Sequence, residues 1–97
     1  MKREQVLKLL KTQLSRIVLL YDVKQLSLFG SVARDEARDD SDVDLLVEFE
    51  HQATFDHYMD LKFYLEELLH QPVDLVTNNA LKPRMRTLIE QEILHVS

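Results

Sequence analysis

Residues 28–47 read LFGSVARDEARDDSDVDLLV, and the pattern of this stretch decides the fold. Its first part ends a run of Val, Leu and Phe over 23–29, which predicts a buried strand that stops at a turn at Gly30. Its last part, over 42–49, alternates between apolar and polar residues and predicts a second strand. Between the two, residues 32–40 are highly charged and predict one or two helical turns followed by an exposed loop.

The sequence on either side of this stretch predicts long helices. Residues 4–20 carry apolar side chains at intervals of three and four, the period of one helical face. A second helix is predicted over 54–69, and Pro72 prevents its continuation. A last helix is predicted from about Pro83, because proline is well tolerated in a first turn. Its inward side chains are predicted to be Met85, Leu88, Ile89 and Ile93.

The predicted elements form a small mixed α/β (α+β) fold. A third strand over 73–76 lies between the second long helix and the last helix, so the predicted order is α-β-α-β-α-β-α. Neither a repeat nor a linker interrupts residues 1–97. We therefore expect one domain whose small sheet is flanked by helices.

The composition of the chain excludes several classes of protein. Its formal net charge is −5, so no basic surface for direct nucleic-acid binding is expected. It contains no cysteine, which excludes a disulfide framework and the usual cysteine zinc sites. No uncharged stretch approaches the ~18 residues that span a membrane, and no apolar signal-peptide core is present. We expect a cytoplasmic protein with no membrane partner.

Gly30 is the only glycine of the 97 residues, where average usage would supply ~7. It lies between the first predicted strand and a short helix, and Ser31 follows it. Glycine lets a phosphate approach the backbone, serine can cap a helix and donate its hydroxyl, and a helix N-terminus favours negative charge. These residues predict a phosphate cradle, at which a side chain on residue 30 would reduce activity before stability.

Asp42 and Asp44 lie two residues apart on the second predicted strand, so their side chains project from the same face. Two carboxylates ~6 Å apart at an effective dielectric of ~20 repel each other by roughly 2.8 kcal/mol. A partly buried pair therefore favours a bound cation or a raised pKa. Carboxylates without cysteine or paired histidine ligands beside them point to a hard ion such as Mg²⁺.

The Gly-Ser pair at 30–31, ten intervening residues and Asp42-x-Asp44 together resemble the signature of the nucleotidyltransferase superfamily related to DNA polymerase beta. Within that superfamily, the sequence around both motifs is similar to the minimal nucleotidyltransferases, the MNT (MntA-like) antitoxins that are paired with HEPN toxins. Parts of the segment 73–96 also resemble that family, so the resemblance spans nearly the whole chain.

The resemblance implies a role for each motif residue. Asp42, Asp44 and Asp74 would be the catalytic acids and would hold two Mg²⁺ ions, and Asp74 would also assist deprotonation of the acceptor. The nucleotide-binding residues would be Gly30, Ser31, Arg34 and Ser41. Arg34 would neutralise phosphate charge, but the chain has Asp35 where the family often has glycine, which leaves the role of Arg34 less defined.

The resemblance implies an antitoxin that transfers AMP from ATP to a tyrosine hydroxyl of a HEPN-type toxin, within a hetero-oligomeric complex in a prokaryotic cytoplasm. A chain of 97 residues has little room for a domain that binds the acceptor, so we expect a partner protein to deliver the acceptor. Two alternatives stay open. One is a noncatalytic antitoxin that masks the toxin by stoichiometric binding, and the other is a nucleotidyltransferase that acts on a small molecule or an RNA end.

Overall fold

The computed structural model of the chain describes residues 1–96 as a mixed four-stranded sheet with helices on both faces, which confirms the predicted α+β class. The elements are α1 (Arg3–Thr12), α2 (Leu14–Tyr21), β1 (Val23–Phe29), α3 (Gly30–Ala33), β2 (Val43–Phe49), α4 (Phe55–Leu69), β3 (Val73–Thr77), a 3₁₀ turn (Asn78–Ala80), α5 (Pro83–Glu90) and β4 (Leu94–His95). Within residues 1–96, no helix has the length and apolar character needed to cross a lipid bilayer.

The strand order in the sheet is β3-β2-β1-β4. Strand β1 runs antiparallel to both of its neighbours, and β2 runs parallel to β3. The register pairs Asp44 with Phe29 on one side and with Asp74 on the other. The end of β1 and the beginnings of β2 and β3 therefore meet at one edge of the sheet.

The main core lies on one face of the sheet, under α1, α2 and α4. Leucines from the two central strands and from α4 are fully buried there, each stabilising the fold by about 2–3 kcal/mol relative to an exposed side chain. These leucines are Leu26, Leu28, Leu45, Leu61 and Leu65. The Thr54 hydroxyl begins α4 by accepting a hydrogen bond from the His57 N–H at 3.1 Å.

Helix α5 covers part of the other face with a smaller cluster of Leu46, Leu81 and Ile89. The prediction that Met85 and Leu88 face inward is wrong, because their side chains are 48% and 63% exposed. One short helix over the sheet edge can bury only a narrow stripe of its surface, and Ile89 provides that stripe.

The structure differs from the predicted element order in two places. The first predicted helix is divided at Gln13, beside a hydrogen bond of 2.7 Å from the Thr12 hydroxyl to the Lys8 carbonyl, a contact that bends helices. Strand β4 was not predicted, because two residues are too few to show an alternating pattern. It pairs with β1, and the Val96 N–H extends the pairing by donating to the Leu26 carbonyl at 2.9 Å.

Candidate functional site

The three acids predicted from the sequence lie at one edge of the sheet. Asp44 is the second residue of β2 and Asp74 the second residue of β3, and the parallel register makes them direct neighbours. Asp42 immediately precedes β2. Asp42 and Asp74 are exposed, whereas Asp44 is half-buried between its two neighbouring strands.

The pKa of Asp44 is raised to about 6. Burial is the largest cause, and the negative charges of Asp74 and Asp42 follow, while the positive charge of Arg34 acts in the opposite direction. The sequence predicts a bound cation or a raised pKa for a partly buried acid pair, and the raised pKa of Asp44 agrees with the second of these. Such an acid is stabilised in its ionised form when a cation approaches.

The donor chemistry of this edge fits a hard divalent cation. The available ligands are carboxylate oxygens, which Mg²⁺ prefers in proteins. Among residues 1–96, no three histidine, aspartate or glutamate side chains are already gathered into a group that could hold a metal. A bound ion would therefore have to draw the acids closer, and it would relieve the repulsion that raises the pKa of Asp44.

The position of the Asp44 side chain requires a residue without a Cβ at position 30. The Gly30 backbone has φ +74°, and a Cβ at this position would lie 2.0 Å from the Asp44 Oδ2 atom. The side of Gly30 that was expected to accommodate phosphate is therefore packed against a carboxylate of the site. The expectation that a side chain at residue 30 would reduce activity before stability is corrected by this contact, which predicts a loss of stability as well.

The two serines near the motifs occupy different environments. Ser31 lies within α3, whose N-cap is Phe29 and which has no side-chain cap, so the prediction that Ser31 caps this helix is wrong. The Ser41 hydroxyl accepts a hydrogen bond from the Arg38 N–H at 2.8 Å, and the Ser41 N–H donates to the Arg38 carbonyl at 3.0 Å. Ser41 thus closes the turn that leads into Asp42.

Glu92 is a member of the site that the sequence did not predict. One of its carboxylate oxygens accepts the Gly30 N–H at 3.1 Å, and the other pairs with Arg34 Nη1 at 2.7 Å. Arg34 also pairs through Nε with Glu36 at 3.2 Å, and these two carboxylates raise its pKa, Glu92 first. Sequence reasoning missed Glu92 because 62 positions separate it from Gly30, and no local pattern marks it.

Asp35 has a backbone φ of +60°, the left-handed region that glycine adopts most readily. Its N–H donates to the Val32 carbonyl at 3.0 Å, and its side chain is exposed, so it ends α3. The aspartate that this chain has in place of the family's common glycine therefore lies in the turn after α3. It does not prevent Arg34 from forming ion pairs with Glu92 and Glu36.

The acids lie on an open surface. A groove of about 500 Å³ is found at the far ends of β2 and β3, and its polar lining includes His51 and Asn78. A smaller one of about 290 Å³ lies beneath α5. Asp42 and Asp74 are exposed, so the edge of the sheet that carries the three acids is open to solvent.

The nucleotidyltransferase domain family matches residues 7–95 of the chain. The chain is 40% identical over 76 residues to protein adenylyltransferase MntA of Thermococcus cleftensis, a match that covers 78% of this chain and 77% of the relative. It is 38% identical to a solved structure assigned as a minimal nucleotidyltransferase, with a TM-score of 0.82 over 97% of this chain and 95% of that chain. The fold also matches the solved complex of a tri-AMPylated Shewanella oneidensis HEPN toxin with MNT antitoxin, with a TM-score of 0.69 at 16% identity, over 94% and 71% of the two chains.

Proposed function

Because the chain belongs to the nucleotidyltransferase domain family, we propose that it transfers AMP from ATP to a tyrosine hydroxyl of a HEPN-type toxin and so neutralises that toxin. The observation that carries the proposal is the grouping of three acids. Asp44 pairs with Asp74 on the neighbouring strand and packs against Gly30, and the negative charge of Asp42 also acts on the Asp44 carboxylate. A relative named protein adenylyltransferase and the fold of an MNT antitoxin found with an AMPylated toxin support the choice of reaction and partner.

Asp42, Asp44 and Asp74 are the residues that would hold two Mg²⁺ ions. When bound there, Mg²⁺ would supply positive charge that stabilises the attacking and the leaving oxygens. Asp44 occupies the centre of the group, between the backbone of Gly30 and the neighbouring Asp74. Asp44 is half-buried, whereas Asp42 and Asp74 are exposed.

The Gly30 N–H and the Arg34 guanidinium are the groups that would bind the phosphates of ATP. Both donate to the two oxygens of one carboxylate, so they converge on a single anionic position. A phosphate group can present two oxygens to the same donors. Ser31, next to Gly30, would add a hydroxyl donor.

In the proposed reaction, the tyrosine oxygen attacks the α-phosphorus of ATP. The bond between that phosphorus and the pyrophosphate oxygen breaks, and pyrophosphate leaves. The proton of the tyrosine passes to Asp74, whose exposed carboxylate lies where an acceptor side chain can reach it. The product is an AMP ester of the tyrosine.

We place the acceptor tyrosine on a partner protein, because the tyrosines of this chain serve in packing. The Tyr58 hydroxyl donates to the Leu75 carbonyl, and the rings of Tyr21 and Tyr64 pack against each other with centroids 5.3 Å apart. All three are partly buried against the main core. A net charge of −5 also disfavours an RNA end as acceptor.

The test is transfer of α-labelled AMP in a mixture of the chain, its cognate HEPN-type toxin, ATP and Mg²⁺. We expect label on a toxin tyrosine, located by mass spectrometry. Asp44→Asn should slow transfer by about 10²-fold or more, because it removes a central metal ligand. Asp39→Asn, which neutralises an exposed acid of the preceding loop, is the matched control and should retain transfer.

The outcomes separate the proposal from its alternatives. Absence of label on a folded, bound toxin would contradict AMP transfer. If Asp44→Asn still neutralised the toxin and still bound it, the chain would act by masking. Label on a small molecule or an RNA end, with none on the toxin, would assign a different acceptor.

A further inference from the structure

The carboxylate of Glu92 lies where the phosphates of ATP are proposed to bind. Its two oxygens accept hydrogen bonds from the Gly30 N–H at 3.1 Å and from Arg34 Nη1 at 2.7 Å. These are two of the donors assigned above to the nucleotide. The chain's own Glu92 carboxylate therefore occupies the two hydrogen-bond donors that are proposed to bind phosphate.

We propose that Glu92 is an autoinhibitory residue, whose carboxylate competes with the phosphates of the nucleotide for the Gly30 N–H and Arg34. This inference rests on the proposed function, because it takes ATP as the ligand. A carboxylate and a phosphate both offer anionic oxygens to these donors, but the single hydrogen of the Gly30 N–H can serve only one of them at a time. A phosphate oxygen therefore reaches the Gly30 N–H only after the Glu92 side chain has left.

The surroundings of Glu92 allow it to leave without a change of fold. It lies in the turn between α5 and β4, and its side chain is 27% exposed. The backbone on either side is held separately, by the Glu92 N–H bond to the Ile89 carbonyl and by the pairing of β4 with β1. A rotation about side-chain bonds is enough to free both donors.

The charge around Glu92 favours its departure when phosphates arrive. The carboxylates of Glu92 and Asp44 both lie against Gly30, one at its N–H and the other where a Cβ would be, so Glu92 is already close to another acid. A triphosphate adds further negative charge at the same place, while Arg34 gains a new anionic partner. Repulsion between like charges then opposes return of the Glu92 side chain.

An alternative role for Glu92 is to position Arg34 for the nucleotide. The two roles predict opposite effects of removing its charge. Loss of a competitor strengthens ATP binding, whereas loss of a positioning residue weakens it. Glu36 provides the matched control, since it also pairs with Arg34, at 3.2 Å, but makes no described bond to Gly30.

The first experiment measures ATP binding by calorimetry with Mg²⁺ and without toxin. We expect Glu92→Gln to bind ATP about tenfold more tightly than the unmodified chain, because one charge-assisted contact no longer competes. Glu36→Gln should change the affinity by less than about threefold, as expected for an exposed ion pair. Equal or weaker binding by Glu92→Gln, or equal tightening by both variants, overturns the proposal.

The second experiment observes the contact itself, without a nucleotide. The chain has one glycine, so glycine-selective ¹⁵N labelling reports the Gly30 amide directly. We expect Glu92→Ala, which removes both acceptor oxygens, to move this cross-peak upfield and Glu36→Ala to leave it in place. An unmoved cross-peak in Glu92→Ala shows that the contact is absent in solution and overturns the inference.

The two experiments also distinguish this inference from the proposed function. If the Gly30 cross-peak moves as expected but no variant binds ATP, the proposed function fails and the autoinhibition fails with it. If the unmodified chain binds ATP and transfers AMP while Glu92→Gln gains no affinity, only the autoinhibition fails.

Discussion

At Gly30 the backbone has φ +74°, and the Asp44 carboxylate lies where a Cβ would be. The sequence allowed this residue to be identified as special, because it is the only glycine and ends a strand. The sequence did not show that Asp44 is the residue whose side chain lies against Gly30. Which side chain faces Gly30 depends on the register of β1 against β2, and neither strand encodes that register by itself.

Gly30→Ala is expected to lower the free energy of unfolding by about 2 kcal/mol or more, through the left-handed backbone and the clash with Asp44. Chemical denaturation measures this loss. In an Asp44→Ala background, the same change should cost about 1 kcal/mol less, because the atoms 2.0 and 2.9 Å from the added Cβ are gone. Equal costs in both backgrounds would contradict the contact.

The raised pKa of Asp44 predicts a dependence of stability on pH. Its folded-state value of about 6 exceeds the ordinary 3.8, so the folded chain holds this proton where the unfolded chain releases it. The stabilisation is complete below about pH 4 and is lost as the pH rises through 6. At pH 7.5 with EDTA, Asp44→Asn should raise the free energy of unfolding by about 1 kcal/mol, a value reduced for the partial exposure of Asp44.

Thermal denaturation across pH checks this prediction. The gain in melting temperature of Asp44→Asn should be about 4 °C at pH 7.5 and should vanish near pH 4. Asp39→Asn, at an exposed position of the loop, should show no such trend. A gain that is independent of pH would show that ionisation of Asp44 is not its source.

The helices and the long strands follow from sequence periodicity, and the ends of elements do not. Strand β1 matches its predicted range, and α4 begins one residue later than predicted. The break at Gln13 leaves the backbone hydrogen bonds from Gln13 to Leu9 and from Ile17 to Gln13 in place, and β4 forms through its contact with β1, so both escaped prediction. Neither leaves a periodic signal.

The C-terminus of α4 offers a prediction at the scale of an element. His70 ends this helix with φ +54°, and its N–H donates to the Glu66 carbonyl at 2.8 Å. His70→Gly should raise the free energy of unfolding by about 0.5–1 kcal/mol, because glycine adopts this conformation without strain. Glu67→Gly, inside the same helix, should lower it by about 1 kcal/mol. A loss in both variants would contradict the role of backbone conformation at His70.

At the scale of the whole molecule, the acids could be found from the sequence and Glu92 could not. Asp42 and Asp44 lie in one motif, and Asp74 follows from a motif resemblance. Glu92 depends on the path of the chain over α5 and on the pairing of β4 with β1. Ser27 and Gln25 reinforce that pairing, since each has a polar atom 3.0 Å from His95 Nδ1.

The segment after α5 should also support global stability. Val96 is only 6% exposed and belongs to the main core. Val96→Ala is expected to lower the free energy of unfolding by about 1–2 kcal/mol, measured by chemical denaturation. Leu19→Ala, at a position 83% exposed, should change it by less than about 0.5 kcal/mol. A neutral Val96→Ala would show that β4 contributes little to the core.

The position of β1 between β2 and β4 has a consequence for the making of the protein. Strand β1 is synthesised early, but its partner His95 lies 68 positions after Ser27. While a ribosome still covers residues 92–96, one edge of β1 stays unpaired and can associate with another nascent chain. A released chain that stops after residue 90 should reproduce this species as a protease-sensitive chain. Pairing of β4 with β1 and arrival of Glu92 at Gly30 then coincide, so the same step closes the sheet and brings the proposed inhibitory carboxylate to its donors.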